Sequence, residues 1–238
     1  MCTDCIQHRL TRRGLMLGSA AGLAASLLPG LSAAAAETPA APNSIPPDEA
    51  LKRLMDGNAR YAGNTSTNID YSAGRAARAQ GQYPFASIVS CSDSRVAPEI
   101  LFDQGPGELF IVRVAGNFVN EDGLASLEYG ALVLGSPLIL VLGHTSCGAV
   151  DATIKVVKDG NKLPGHLPSL VDAIRPSVEA AIAEKPTDLL AAATIENVRD
   201  NVEYLKKDQP VLSDMMKSGK VNVVGGIYEL ATGKVSLI

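Results

Sequence analysis

Three side chains with metal-binding chemistry stand in two short segments, Cys91-Ser92-Asp93-Ser94-Arg95 and Gly143-His144-Thr145-Ser146-Cys147-Gly148. Two thiolates and one imidazole make a Cys₂His set, which in catalytic zinc sites leaves the fourth tetrahedral position free for water. The two thiolates also neutralise the dication, so the loaded site is not a heavy charge to bury. His144 and Cys147, three residues apart, can converge on one ion at a strand-to-helix turn. Asp93, just beyond Cys91, is in reach as a fourth ligand or as a partner of the bound water. Arg95 lies two residues further on and can hold the Asp93 carboxylate in a bidentate pair. Asp93 therefore has a choice: bind the metal and close the site, or pair with Arg95 and leave it open. The same cysteines could form a disulfide in an oxidising compartment or remain reduced in the core, and residue types alone leave these alternatives open.

The elements that must position these groups are legible as apolar runs. Phe85–Ser90, Leu109–Val112, Leu138–Leu142 and Val221–Val224 lack the alternation of half-exposed strands and read as strands buried on both faces, with Val235–Ile238 as an edge strand. Helical periodicity falls between them at about 48–61, 122–135, 147–159, 168–184 and 186–207. Strands alternating with helices predict an α/β fold with a mostly parallel central sheet flanked by helices, in a single domain. Cys91 and His144 follow two of the buried strands, at the carboxyl ends where open α/β sheets bind ligands.

The composition supports this class and excludes others. The chain has 238 residues, 46% hydrophobic and 19% charged, with a formal net charge of −4. That is globular, and the acidic balance disfavours a nucleic-acid partner. Residues 1–36 read differently. Arg12-Arg13 precede an uncharged Ala/Leu/Gly-rich run, and Ala34 and Ala36 form a small-residue cleavage signal. Thr11-Arg12-Arg13-Gly14-Leu15-Met16 resembles a bacterial twin-arginine export signal. The expectation is an exported, periplasmic or secreted protein with no stable membrane insertion after processing; an N-terminal anchoring helix is the alternative. Cys2, Cys5 and His8 lie inside this segment and are taken as incidental. Residues 37–47 read as a Pro/Ala linker, leaving 48–238 as the domain with its N-terminal helical arm.

Three stretches taken in order carry a resemblance. They are Cys91-Ser92-Asp93-Ser94-Arg95-Val96; Gly105-Pro106-Gly107-Glu108-Leu109-Phe110 with Arg113 and Ala115-Gly116-Asn117; and Gly143-His144-Thr145-Ser146-Cys147-Gly148-Ala149, followed later by Gly225-Gly226-Ile227-Tyr228. Together they resemble the β-class carbonic anhydrases from about residue 48 to the C-terminus. The resemblance implies one Zn²⁺ per subunit on Cys91, His144 and Cys147, with Asp93 and Arg95 as the dyad beside it. It implies reversible hydration of carbon dioxide to bicarbonate and a proton by a zinc-bound hydroxide. Gln82, nine residues before Cys91, matches the plant-like branch, which is open. The family's substrate pocket falls on Gln82, Phe110, Ala115, Tyr129 and Gly148, with Ala115 where the plant pattern has valine. The family also implies a homodimer or higher homo-oligomer with sites near the subunit boundary. The arm helix is a candidate for exchange across that boundary or for packing at home.

Two other functions remain compatible with these residues. A carbonyl sulfide or carbon disulfide hydrolase would use the same hydroxide on another cumulene. A non-catalytic zinc-binding protein would keep Asp93 on the metal. His166, in a Pro-Gly-rich segment, reads as an ordinary loop histidine rather than a proton shuttle.

Overall fold

The computed structural model describes residues 41–68, 70–72 and 74–238, so the export segment and the start of the linker lie outside the described residues. The sheet has the order β2-β1-β3-β4-β5, with β1 Ala86–Ser90, β2 Leu109–Arg113, β3 Leu138–His144, β4 Asn222–Tyr228 and β5 Val235–Leu237. β1 pairs in parallel with both β2 and β3, β3 pairs in parallel with β4, and only β5 runs antiparallel, on the edge. The chain leaves β1 for β2 on one side and later returns to β3 on the other. The β1–β3 boundary is therefore the topological switch point, where a crevice opens beyond the strand ends.

Every residue of β1 and β3 is buried, which is why both are continuous apolar runs. One face carries Ile88, Leu140 and Leu142 against α1 (Pro47–Ala62), which buries Ala50 and Leu54. The other face carries Val89, Ile139 and Val141 against α4 (Glu121–Leu132), α7 (Leu189–Lys207) and α8 (Val211–Lys217). Burying a side chain of this size contributes roughly 1.5–3 kcal/mol. A third cluster gathers Cys91 and Cys147 with Val150 of α5 (Gly148–Asp159), Ile174 and Val178 of α6 (Leu167–Ala183) and Ala193 of α7. Two short helices, α2 (Arg75–Arg78) and α3 (Pro98–Leu101), lie in segments without helical periodicity.

Local chemistry sets the element ends. Pro47 opens α1, where its missing N–H costs nothing, with Asp48 and Glu49 in the first turn. Asn120 and Asp188 cap α4 and α7, accepting from the Gly123 and Ala191 N–H groups at 2.9 Å. Gly143 and Gly225 lie where Val198 of α7 presses on the sheet. A Cβ there would stand 2.7 and 2.8 Å from the valine methyls.

The arm is tied to the domain at two places. Asn43 is buried and donates to the Pro84 and Leu134 carbonyls at 3.1 and 2.6 Å, so the last part of the proposed linker is pinned to the domain. Of the two placements open to the arm helix, this chain takes the one at home. Asn58 donates to the Leu101 and Gly233 carbonyls and accepts from Val235 N–H, fastening α1 to α3 and to the β4–β5 turn. Beneath it, Asp103 is buried at a φ of 49° and binds Arg60, Thr67 and Asn68. Burial alone would raise its carboxyl, but the Asn68 N–H, Arg60 and Thr67 hold it down at about 2.

Candidate metal centre

The switch point brings the three expected ligands together. Cys91 extends from β1, His144 ends β3, and Cys147 caps α5. Their ligand atoms all lie within 4.8 Å of one another, and all three residues are buried. Both thiols are free, which sets aside the disulfide.

Each group is aimed by the backbone around it. His144 Nδ1 donates to the Thr145 carbonyl at 2.9 Å, so the lone pair stays on Nε2. That Nε2 is fully buried, has no hydrogen-bond partner and faces the two sulfurs. A buried acceptor left without a partner is costly, and a cation between the sulfurs and this nitrogen removes the cost. The donor set therefore fits a metal. Cys91 accepts the Gly116 N–H at 3.2 Å. The Cys147 thiol and the Gly116 and Asp93 N–H groups hold the Cys91 thiol below its usual value against the effect of burial. Cys147 is pushed up by the proton it shares with Cys91 and by burial, although the Val150 and Ala149 N–H groups of the α5 N-terminus favour its thiolate.

Asp93 takes the open arrangement. Arg95 Nε donates to its Oδ1 at 2.9 Å and Nη2 to its Oδ2 at 2.7 Å, while the Arg95 backbone N–H adds a third bond to Oδ1. This pairing holds the Asp93 carboxyl well below the usual carboxylate range. Oδ2 still lies 4.0 Å from His144 Nε2, at the edge of the cluster without joining it.

The pocket residues divide. Ala115 adjoins Gly116, and Gly148 follows Cys147 with open space above its Cα. Gln82, Phe110 and Tyr129 are not gathered at the cluster within one subunit. Gln82 is exposed and borders a separate 410 Å³ cavity with Arg53, Tyr83 and Glu108, which no ligand residue lines. Phe110 pairs with Ser87, toward the opposite end of β1 from Cys91, and its ring centroid lies 6.3 Å from that of Tyr129. Parallel register places β2 residues by their distance along the strand, so within one subunit Phe110 stands a strand's length from the ligands. His166 is exposed at the start of α6.

Two contributors were given no role by the sequence, although Arg113 belongs to a stretch that carries the resemblance. Arg113 reaches across from β2 to donate to the Cys91 and Asp93 carbonyls at 3.0 and 2.7 Å, fixing the segment between them. Asn197 of α7 donates to the Gly116 carbonyl at 2.8 Å and steadies the N–H that meets Cys91. Only the fold makes them neighbours.

A family model described as carbonic anhydrase matches residues 86–235. The chain belongs to the carbonic anhydrase family. Carbonic anhydrase 2 of Mycobacterium tuberculosis is 38% identical over 197 residues, covering 80% of this chain and 92% of its own. The carbonic anhydrase of Mycolicibacterium smegmatis is 39% identical over 199 residues, covering 82% and 95%. Among solved structures, the Coccomyxa β-carbonic anhydrase in complex with acetazolamide superposes with a TM-score of 0.62 at 27% identity, covering 79% of this chain and 86% of that one. The fold and class are those of the β-carbonic anhydrases, and the matched span contains both ligand segments.

Proposed function

We propose that this carbonic anhydrase interconverts carbon dioxide and bicarbonate at an open zinc site held by Cys91, His144 and Cys147. The observation that carries the open form is the bidentate grip of Arg95 on Asp93 beside a buried Cys/His/Cys cluster. A buried thiolate–imidazole set suits zinc over harder cations. Zinc, when bound, supplies the Lewis acidity that makes water nucleophilic near neutral pH.

The chain's own groups do the rest. Cys91 and Cys147 bring the negative charge that offsets the dication. His144 presents Nε2 in a fixed tautomer. Asp93, ionised, accepts a hydrogen bond from the attacking water and turns its lone pair toward the substrate carbon. Arg95 keeps that carboxylate from taking the fourth position. The proton released with bicarbonate passes to solvent or buffer.

Gln82, Phe110 and Tyr129 complete the pocket from across a subunit boundary in a homodimer or larger homo-oligomer. The exposed Tyr129 and Leu132 of α4 and Val133 just after it support this, since they are large apolar side chains and Tyr129 stands beside Phe110. Gln82 together with the open pair supports the plant-like branch. The Arg12-Arg13 segment and the Ala34/Ala36 signal support twin-arginine export to the periplasm.

Stopped-flow hydration of carbon dioxide by the zinc-loaded full-length chain, with Cys147→Ala as control, tests the proposal. Rapid hydration at mildly acid as well as alkaline pH, lost in the control, is expected. Activity confined to alkaline pH would replace the open form by one with Asp93 on the metal, and none at all with zinc bound would defeat the enzyme.

A further inference from the structure

Thr145 follows a ligand in the chain and binds three separate groups. Its N–H donates to the Tyr228 carbonyl at 3.0 Å, carrying the β3–β4 ladder one residue past His144. Its Oγ1 accepts the Leu230 N–H at 3.1 Å, from the β4–β5 turn. Its carbonyl accepts from His144 Nδ1 at 2.9 Å. The turn that supplies Leu230 is itself fixed. Asn58 of α1 donates to Gly233 O at 2.8 Å and accepts from Val235 N at 2.8 Å, and Glu229 N–H donates to Lys234 O at 2.8 Å. A continuous run of hydrogen bonds thus joins α1, the turn, Thr145 and the His144 ring.

We propose that Thr145 is a positioning residue: its hydroxyl, anchored on Leu230 N–H, holds the carbonyl that fixes the His144 tautomer and aims Nε2 at the metal. The inference rests on the assignment of Cys91, His144 and Cys147 as the metal ligands. The physical reason is local. Ser146, the next residue, stands at a φ of 56°, so the chain reverses sharply before Cys147, and the Thr145 carbonyl has to be held from the other side. Its N–H and its hydroxyl do this from two different elements. Without the hydroxyl, Leu230 N–H loses its acceptor and the carbonyl keeps one anchor instead of two.

Thr145→Val keeps the branched shape and removes the acceptor, whereas Thr145→Ser restores it. Zinc affinity of the full-length chains, measured by competition with a chromophoric chelator, is expected to fall about 10- to 100-fold for the valine variant. The serine variant should regain most of that loss. The visible spectrum of the cobalt-loaded chain should change in the valine variant alone. Parent-like zinc affinity in Thr145→Val, or a serine variant as weak as the valine one, overturns the role of the hydroxyl. Should the valine variant fail to fold, nitrogen-15 NMR of the zinc-loaded parent and serine variant decides. A protected His144 Nδ1–H in both is expected, and a proton on Nε2 instead overturns the proposal. A parent chain that takes up no zinc removes the metal assignment itself, and this inference with it.

Discussion

Arg95 holds both carboxylate oxygens of Asp93, at 2.9 and 2.7 Å, while the nearer of them stays 4.0 Å from His144 Nε2. The guanidinium is half-exposed and its partner is mostly covered, so the arginine reaches in from solvent to restrain an inner group. Removing it frees the carboxylate to become a fourth ligand. Arg95→Met should retain one zinc per chain yet hydrate carbon dioxide about 10- to 100-fold more slowly at neutral pH. Part of the activity should return at alkaline pH, where hydroxide competes with the carboxylate. A variant as fast as the parent at neutral pH would show that the pair does not control access.

Cys91 and Cys147 are close enough to share a proton, and each stands as a free thiol. Denaturing the protein with a chelator and an alkylating agent, and no reductant, should modify both cysteines in the recovered peptides. A peptide cross-linked through Cys91 and Cys147 would contradict the site. Cys147→Ala should lose most bound metal by elemental analysis, because two ligands cannot replace three.

Asp103 makes stability depend on acid. Its folded carboxyl titrates at about 2, against about 3.9 in an unfolded chain. A depressed value means that its contribution is present above about pH 4 and is lost as pH falls toward 2. In metal-free protein, Asp103→Asn should cost about 1–3 kcal/mol at neutral pH. Denaturant melts should show that gap narrowing under acid conditions. A gap independent of pH would assign the cost to shape rather than charge.

Leu132 and Val133, at the end of α4 and just after it, are 63% and 60% exposed, and Tyr129 of α4 is 47% exposed. Leu132→Asp should shift the protein to a smaller species in light scattering and lower hydration while zinc stays bound. An unchanged mass would move the subunit boundary elsewhere.

The cores of β1 and β3 and the three ligands were legible because each is a local pattern: an apolar run, then a polar turn bearing Cys or His. β4 runs on to Tyr228, past the predicted Val224, since Gly225-Gly226 interrupts the apolar run. Those glycines belong to the strand because Val198 and Val202 of α7 fill the space beside Gly225. Helix α8 was missed because seven residues give too few turns for periodicity to register. The Asp93–Arg95 pair follows from spacing, but the grip of Arg113 on the same segment depends on β2 lying beside β1. Phe110 and Tyr129 have the right residue types, and only the register shows that one subunit keeps them away from the ligands.

Two of the ligands, His144 and Cys147, come from one turn, and the third arrives from a strand far earlier in the chain. A bound ion at this place would be a clip across the seam where the sheet reverses its winding. It closes the long loop that contains β2, α4 and most of β3, and the entropy of closing that loop weighs against the unfolded chain. The nearby pair can capture an ion while the sheet is still assembling, and the arrival of Cys91 then locks β1 against β3. Metal loading therefore favours the joined halves of the sheet, and the joined halves in turn favour metal loading.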